Sequence, residues 1–127
     1  MWASAMTGDS LNEMAPLERE RALQGLVEQH DTKAVETIAR ALAASNWPVC
    51  DDLVRALVQI GGDEAERALS GALRARRHHV RSAAVKGLMR LGSARAVDAI
   101  ARLAHDPSYE VRQDVADALR QLGRQTA

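Results

Sequence analysis

The sequence predicts an all-α fold, an α-solenoid of about seven stacked helices, on the basis of three observations. The phrase VRSAAVKGLMRLG, Val80 to Gly92, returns thirty-one residues later as VRQDVADALRQLG, Val111 to Gly123. Within each phrase, apolar residues recur every three or four positions, which is typical of one buried helix face. The 127 residues include no phenylalanine, so small and aliphatic side chains must fill the core, which favours close helix contacts over a β-sandwich.

The thirty-one-residue period divides most of the chain into three and a half units. A fixed period of roughly 20–50 residues is typical of stacked helical hairpins, and about three such units are needed for stability because each buries its apolar stripe against the next. Five columns of residues keep the period: Val49, Val80 and Val111; Leu26, Leu57, Leu88 and Leu119; Gly61, Gly92 and Gly123; Ala34, Ala65 and Ala96; Ile38, Leu69 and Ile100.

Each unit is predicted to contain two helices, because the helical rhythm stops at the glycine column and then restarts. Glycine can adopt the left-handed conformation that ends a helix, although His30 replaces it in the first unit. Three signals indicate helix starts: Asp63 and Glu66 at capping-box spacing, Asp106 before Pro107, and Asn46 ahead of Trp47-Pro48. The predicted helices span residues 17–29, 32–44, 48–60, 63–75, 79–91, 94–104 and 108–122, with ends accurate to about 2–4 residues.

A single repeat domain is predicted over residues 17–127, preceded by an N-terminal tail or cap at residues 1–16. That first segment includes the large apolar residues Trp2, Met6, Leu11 and Met14 among small and polar ones. The chain does not start with a basic segment followed by an apolar run, and no apolar stretch approaches the ~18 residues that cross a membrane. The lone Cys50 cannot form an internal disulfide, so a cytoplasmic location without membrane contact is expected.

Two segments, HVRSAAVKGLMRLGSARAVDAIARLA (His79 to Ala104) and DPSYEVRQDVADALRQLG (Asp106 to Gly123), resemble the HEAT-like repeats first noted in phycobilisome lyases. The resemblance covers residues 48–123 well and residues 17–44 more loosely, since Glu18 stands where the other units have valine. It implies a right-handed superhelix of helical hairpins.

The resemblance also implies a role for the valine and for the arginine that follows it. The valine supplies core, and the arginine usually braces a carboxylate of a neighbouring loop. Asp106 with Arg112 matches this pattern. The pattern is incomplete in two other copies, because Ala75 stands where Arg81 would need the aspartate and Cys50 replaces the arginine itself.

The outward positions of the second helices are predicted to form a surface for a partner. Two columns alternate in sign at the repeat period, which favours pairing between neighbouring units at ~0–1 kcal/mol per exposed pair: Lys33, Glu64 and Arg95; Glu36, Arg67 and Asp98. The third column, Arg40, Gly71 and Arg102, breaks the alternation, and Arg74 lies one turn further. Guanidinium groups suit carboxylate or phosphate, so Arg40, Arg67, Arg74 and Arg102 are the predicted contacts for a protein with an acidic surface.

The densest basic run, LRARRHHVR, adds Arg76, Arg77 and Arg81 to the candidate binding residues. HEAT-like DNA glycosylases hold duplex backbone in a basic groove, so phosphate binding through residues 74–81 is one alternative. Against nucleic acid, 17 basic residues balance 17 acidic ones and the aromatic residues needed for base stacking make up only 2% of the chain.

No catalytic, metal or cofactor site is predicted. His78 and His79 are adjacent, so their side chains diverge by about 100° on a helix, and the His-Glu dipeptides of the HEAT-repeat di-iron hydroxylases are absent. Cys50 is interpreted as a packing residue. The sequence therefore predicts a non-catalytic protein-binding adaptor rather than an enzyme, with an accessory subunit of a lyase-type enzyme as a further alternative from the resemblance.

The last predicted helix is expected to form a second contact surface, because no eighth helix is predicted to cover it. Leu119 and Leu122 are expected to stay partly bare, and an exposed apolar patch often marks an association surface. Val115, Leu119 and Leu122 are therefore the predicted contacts for a second copy of the chain or another protein.

Overall fold

The computed structural model describes residues 8–126, and the side chains of residues 10–123. All seven predicted helices are present, and one further short helix precedes them. In order, the helices are α1 (Gly8–Glu13), α2 (Pro16–Gln29), α3 (Thr32–Ala44), α4 (Val49–Ile60), α5 (Gly62–Ala72), α6 (His78–Leu91), α7 (Val97–Ala101) and α8 (Tyr109–Thr126), with a 3₁₀ turn at Ala94–Ala96. No strand occurs in residues 8–126.

The helices stack as hairpins in one row, which is the predicted α-solenoid. Unit 1 is α2 with α3, unit 2 is α4 with α5, unit 3 is α6 with α7, and α8 is the final half unit. The first helices α2, α4, α6 and α8 each pack against the next, and α3 packs against α5 in the same way. Each unit therefore covers the apolar side of its neighbour.

The repeating columns supply the core, as their helical spacing predicts. Ile38, Leu69 and Ile100 are all fully buried, and the alanines of the adjacent column are at most 3% exposed. Val80 and Val111 are fully buried as well, whereas Val49, at the start of α4, is partly exposed. One close approach depends on the absence of a side chain, because a Cβ on Gly87 of α6 would lie 2.7 Å from Cγ1 of Val54 in α4.

Residues with positive φ end the first helix of each full unit. Gly92 has the left-handed conformation that was predicted, with φ 68° and ψ 35°, whereas Gly61 combines φ 66° with ψ −168°, a different conformation that also favours glycine. His30 adopts φ 34° at the same position of unit 1, a conformation that costs a residue with a Cβ more than glycine. Gly123 does not end a helix, because α8 continues through it to Thr126.

Two helix starts differ from prediction. Asp63 does not cap α5, which begins at Gly62 without a side-chain cap, because the Asp63 carboxylate is held by an arginine of the next unit. By contrast, α3 has a side-chain cap that was not predicted, because the Asp31 carboxylate accepts a hydrogen bond from the Ala34 N–H at 2.9 Å. At α8, Ser108 Oγ accepts a longer bond of 3.4 Å from the Val111 N–H.

Two second helices are shorter than predicted. α5 ends at Ala72 rather than 75, and the predicted helix over 94–104 is a 3₁₀ turn followed by only five α-helical residues. Residues 103 and 104 form hydrogen bonds of the i to i−3 type, to the carbonyls of Ile100 and Ala101, so the chain tightens into turns there.

The first helix, α1, lies against the second helix of unit 1. Leu11 is fully buried, and Asn12 Nδ2 donates to the Ala41 carbonyl of α3 at 3.0 Å. Residues 8–13 therefore cover part of the α3 surface. Trp2 and Met6, noted in the sequence, lie outside the described residues.

Candidate interaction surfaces

The first candidate surface is the second-helix face, defined as the exposed residues of α3, α5 and α7 and of the turns that follow them. Its predicted contacts Arg40, Arg67, Arg74 and Arg102 are all exposed. None of the four takes part in an ion pair within the described side chains. Three of them, Arg40, Arg74 and Arg102, follow the acidic residues of their own second helix, so the basic charge collects toward the helix ends.

At the opposite end of the face, near the joints within each unit, neighbouring units pair their charges. Arg95 donates to Asp63 at 2.7 Å and also pairs with Glu66, while the Thr32 hydroxyl donates to Glu64 at 2.8 Å. The Arg95 hydrogen bond and charge lower the pKa of Asp63. Pairing between units was predicted, but its partners are Asp63 and Glu66 rather than the column neighbour Glu64.

Part of the basic run forms hydrogen bonds with the turn before unit 2. Arg77 Nη1 donates to the carbonyl oxygens of Ala44 and Ser45, both at 3.1 Å. The His79 Nε2 lies 3.0 Å from the same Ser45 oxygen, a hydrogen bond in the tautomer that carries its proton on Nε2. The predicted partner contact Arg77 therefore has an internal role in the stack.

Arg81 is a largely buried residue whose guanidinium is bound within the chain, which corrects its prediction as a partner contact. Its Nε and Nη2 donate to the two carboxylate oxygens of Asp106 at 2.9 Å each, and its Nη1 donates to the carbonyls of Ala75 and Arg76. The Asp106 side chain is 4% exposed and that of Arg81 14%. The Arg81 hydrogen bonds, with a further one from the Ser108 N–H, hold the pKa of Asp106 below its usual value despite burial.

A brace of the turns between units repeats at the thirty-one-residue period. Arg19, Arg81 and Arg112 each donate from Nη1 to the carbonyl five residues earlier, at 2.8–3.2 Å. Cys50 occupies this position in unit 2 and cannot make the bond. Arg77, reaching back from the following turn, takes its place at the equivalent carbonyls.

The expected pairing of Asp106 with Arg112 is therefore corrected in one respect. Arg112 binds the main-chain oxygen of Asp106 and not its carboxylate. The carboxylate is taken by Arg81 of the preceding unit, for which a partner was missing in the sequence pattern. The charged pair thus joins two successive units, whereas the carbonyl brace lies within a single turn.

The predicted C-terminal contact surface is mostly buried. Val115 is 1% exposed and Leu122 fully buried, because α8 packs against both α6 and α7 and these two residues belong to the common core. The expectation that Leu122 stays bare is wrong, and only Leu119 of the predicted set is partly exposed.

One exposed set of side chains was missed at the sequence level although its period is visible there. Trp47, His78 and Tyr109 are spaced thirty-one residues apart, and all three are exposed. Each stands at the same place in its unit, at or just before the start of a first helix. We call these three residues the ring row.

A groove between α2 and α4 has a volume of about 540 Å³. It is lined by Pro16, Leu17, Glu20, Leu23, Gln24, Asp52, Arg55, Ala56 and Gln59. Its lining mixes neutral, acidic and basic groups and brings together no set of side chains suited to catalysis. Among the described residues, no cluster of three or more His, Cys, Asp or Glu side chains is placed to hold a metal ion, and no helix there has the length and apolar character to cross a membrane.

Comparison with known proteins agrees with the architecture. The family model described as HEAT repeats matches residues 67–127, which contain most of α5, all of unit 3 and α8. No curated protein matches the chain. The matched segment has the stacked hairpins, the buried repeating columns and the braced turns described above, and residues 67–127 therefore belong to the HEAT repeat family.

Proposed function

We propose that this chain is a non-catalytic protein-binding module whose second-helix face receives acidic groups of a partner protein. HEAT repeats generally mediate protein–protein interaction and are typically scaffolds without catalytic activity. The observation that carries the proposal is the availability of Arg40, Arg67, Arg74 and Arg102, which are exposed and form no ion pair among the described side chains.

The chemistry of these side chains fits carboxylate binding. Each guanidinium presents a planar fork of donors that can hold a carboxylate through two parallel hydrogen bonds. Exposed ion pairs contribute only ~0–1 kcal/mol each, so several must act together to give useful affinity. Arginines on three successive units provide this arrangement, and association should be fast and sensitive to salt.

The phosphate-backbone alternative has less support. The side chains of Arg77, His79 and Arg81 in the basic run form hydrogen bonds within the chain, which leaves Arg74, Arg76 and His78 as its exposed basic groups without a hydrogen bond or ion pair among the described side chains. Duplex DNA contacts usually require several free cations along a groove. Salt-sensitive retention of duplex DNA that is lost in the double variant R76A/R77A would favour this alternative.

The test compares two charge-reversed variants of the full chain. R40E/R102E changes the second-helix face, and R21E/R90E changes two exposed, unpaired arginines of α2 and α6 as the matched control. Proteins captured from native extract by the wild type are identified, and their affinity is measured with purified components at about 0.05 M and 0.3 M salt. The first variant should weaken binding about tenfold or more and the control variant about twofold at most. Equal loss in both variants, or none in R40E/R102E, would contradict the proposal.

A further inference from the structure

The ring row has the properties of a second binding surface. Trp47 is 68% exposed and Tyr109 67%, which makes them two of the three large hydrophobic side chains that stay exposed in the described chain. His78 lies between them in the row and is also exposed. Clustered exposed apolar groups on a small protein commonly mark interaction sites, whereas scattered ones do not.

The spacing of the row selects the kind of ligand. Because α4 packs against α6 and α6 against α8, equivalent positions at the starts of these helices should lie about one helix packing distance apart, roughly 8–10 Å. Side chains on one face of a β-strand repeat at about 7 Å, and those on one face of an α-helix at about 5.4 Å. A polyproline II segment has three residues per turn and rises about 3.1 Å per residue, so its equivalent side chains repeat at about 9.3 Å. Of these three periods, the last is the one that falls within the expected spacing of the row.

The side-chain chemistry points to the same ligand. Proline-rich segments dock onto aromatic surfaces and lose little conformational entropy on binding, because they are extended before they bind. The Tyr109 ring has fixed neighbours, since Gln113 Nε2 donates to its hydroxyl at 2.9 Å and the Arg112 guanidinium lies 5.7 Å from its centroid. It therefore offers a defined surface for a proline ring.

Charge along the row specifies the centre of the ligand. Acidic residues lie close in sequence to the outer rings, Asp51 four residues after Trp47 and Glu110 directly after Tyr109. The Arg112 guanidinium near the Tyr109 ring is already bound to the carbonyls of Asp106 and Pro107. Beside His78, by contrast, lies the exposed Arg76, which forms no ion pair among the described side chains. A depression of about 400 Å³ opens at this point, lined by Arg76, Arg77, His78, His79, Arg81, Pro107 and Ser108. The guanidinium groups of Arg77 and Arg81 already have partners there, so Arg76 is the one left for a ligand carboxylate.

We propose that the ring row binds a proline-rich segment of another protein in the polyproline II conformation, with residues i, i+3 and i+6 against Trp47, His78 and Tyr109 and an acidic residue near the centre. The ring row lies at the starts of the first helices. Neither its three residues nor Arg76 is among the arginines tested on the second-helix face. The two binding activities are thus separable by mutation, and either can fail alone.

The probe is a synthetic peptide of Pro-Pro-Leu triplets with one central leucine replaced by glutamate. Binding is followed by tryptophan fluorescence in a W2F background, so that the signal comes from Trp47, and by fluorescence anisotropy of a labelled peptide for the variants. The expected result is saturable binding with a blue shift of the Trp47 emission. W47A and Y109A should each weaken binding about tenfold and R76E about fivefold. L17A, which removes the remaining exposed large hydrophobic side chain away from the row, is the matched control and should change affinity less than twofold.

Further measurements separate this proposal from its competitors. A peptide of the same composition whose leucine and glutamate residues are moved out of the three-residue period should bind at least fivefold more weakly, and R40E/R102E should leave binding unchanged. Every substituted residue within the described part of the chain is exposed, and circular dichroism checks that each variant, the W2F background included, keeps its helical content. Equal affinity for both peptides, insensitivity to W47A and Y109A, or binding of single-stranded oligonucleotide instead of peptide at the same residues would overturn the proposal.

Discussion

Removal of the Asp106 carboxylate should be the most destabilising single change in the turns between units. In D106A, Arg81 loses two hydrogen bonds of 2.9 Å and the Ser108 N–H loses its acceptor, while the guanidinium stays largely buried. Breaking one side of a buried ion pair costs about 3–5 kcal/mol because the remaining charge is left without compensation. With a urea dependence of about 2 kcal/mol/M for a chain of this size, the unfolding midpoint should fall by about 1.5–2.5 M.

The assay is urea unfolding at neutral pH, followed by far-ultraviolet circular dichroism, on the wild type, D106A, R81M and the double variant. The coupling energy between the two positions should be about 2–3 kcal/mol. D117A is the control, since Asp117 forms an exposed ion pair with Arg120 and its loss should cost less than about 1 kcal/mol. A midpoint shift in D106A no larger than that in D117A, or a coupling energy below about 0.5 kcal/mol, would refute the reasoning.

The same pair predicts a dependence on pH. Hydrogen bonds from Arg81 lower the pKa of Asp106 in the folded state from its ordinary value of 3.8. A carboxyl group whose pKa is lowered by folding stabilises the protein above its unfolded pKa, and this contribution is lost as the pH falls through the folded pKa. The stability difference between the wild type and D106N should therefore be full at about pH 6 and shrink below about pH 4. A difference that stays constant down to pH 2 would contradict the assignment.

Three further predictions concern single positions. R77A should lower the free energy of unfolding by about 1–2 kcal/mol, because the carbonyls of Ala44 and Ser45 lose their donor. C50R in that background should recover part of the loss, since position 50 is equivalent to Arg19 and Arg81, which donate to the corresponding turn carbonyls. Urea unfolding of both variants measures the two changes. G87A should destabilise the fold by about 1–2 kcal/mol, because the added Cβ would be too close to α4. G25A should stabilise the fold by about 0.5–1 kcal/mol, because the space around the added Cβ is open. The two variants should shift the melting temperature in opposite directions, and equal shifts would contradict the packing argument. H30G should raise the melting temperature, at about 1 kcal/mol of added stability, because it removes a Cβ from a left-handed residue; an unchanged or lower value would show that other contacts of His30 outweigh the backbone strain.

The architecture was predictable because it follows from a local signal repeated many times. Apolar spacing within each helix and the thirty-one-residue period both survive substitutions at single positions, so the columns through Ile38, Leu69 and Ile100 identified the core correctly. The start of α5 was not predictable in the same way. Asp63 has capping-box spacing to Glu66, but Arg95 of the next unit competes for both carboxylates, and contacts of this kind do not appear in a local pattern.

The interaction surfaces show the same limit. Arg81 was predicted as a free basic residue because its own unit offers no carboxylate, whereas its partner Asp106 belongs to the next turn and is offset from the period. Leu122 was expected to be bare because no eighth helix was predicted to cover the last one, yet α8 packs against α6 and α7 and Leu122 is fully buried. Trp47, His78 and Tyr109 could have been found by following the period through residues of different types, since aromatic character rather than identity is shared along that row.

The arginine contacts also determine how cooperatively the repeat array unfolds. Arg77 ties the turn before unit 3 to the turn before unit 2, and Arg81 ties it to the turn before α8. In a linear array, stability is the sum of the intrinsic free energies of the units and the coupling between nearest neighbours. These tethers place strong coupling on both sides of the third hairpin, so that hairpin cannot open without releasing both neighbours. Amide hydrogen exchange in α6 should consequently proceed by global unfolding, while α2 and α3 exchange by local fraying from their own end.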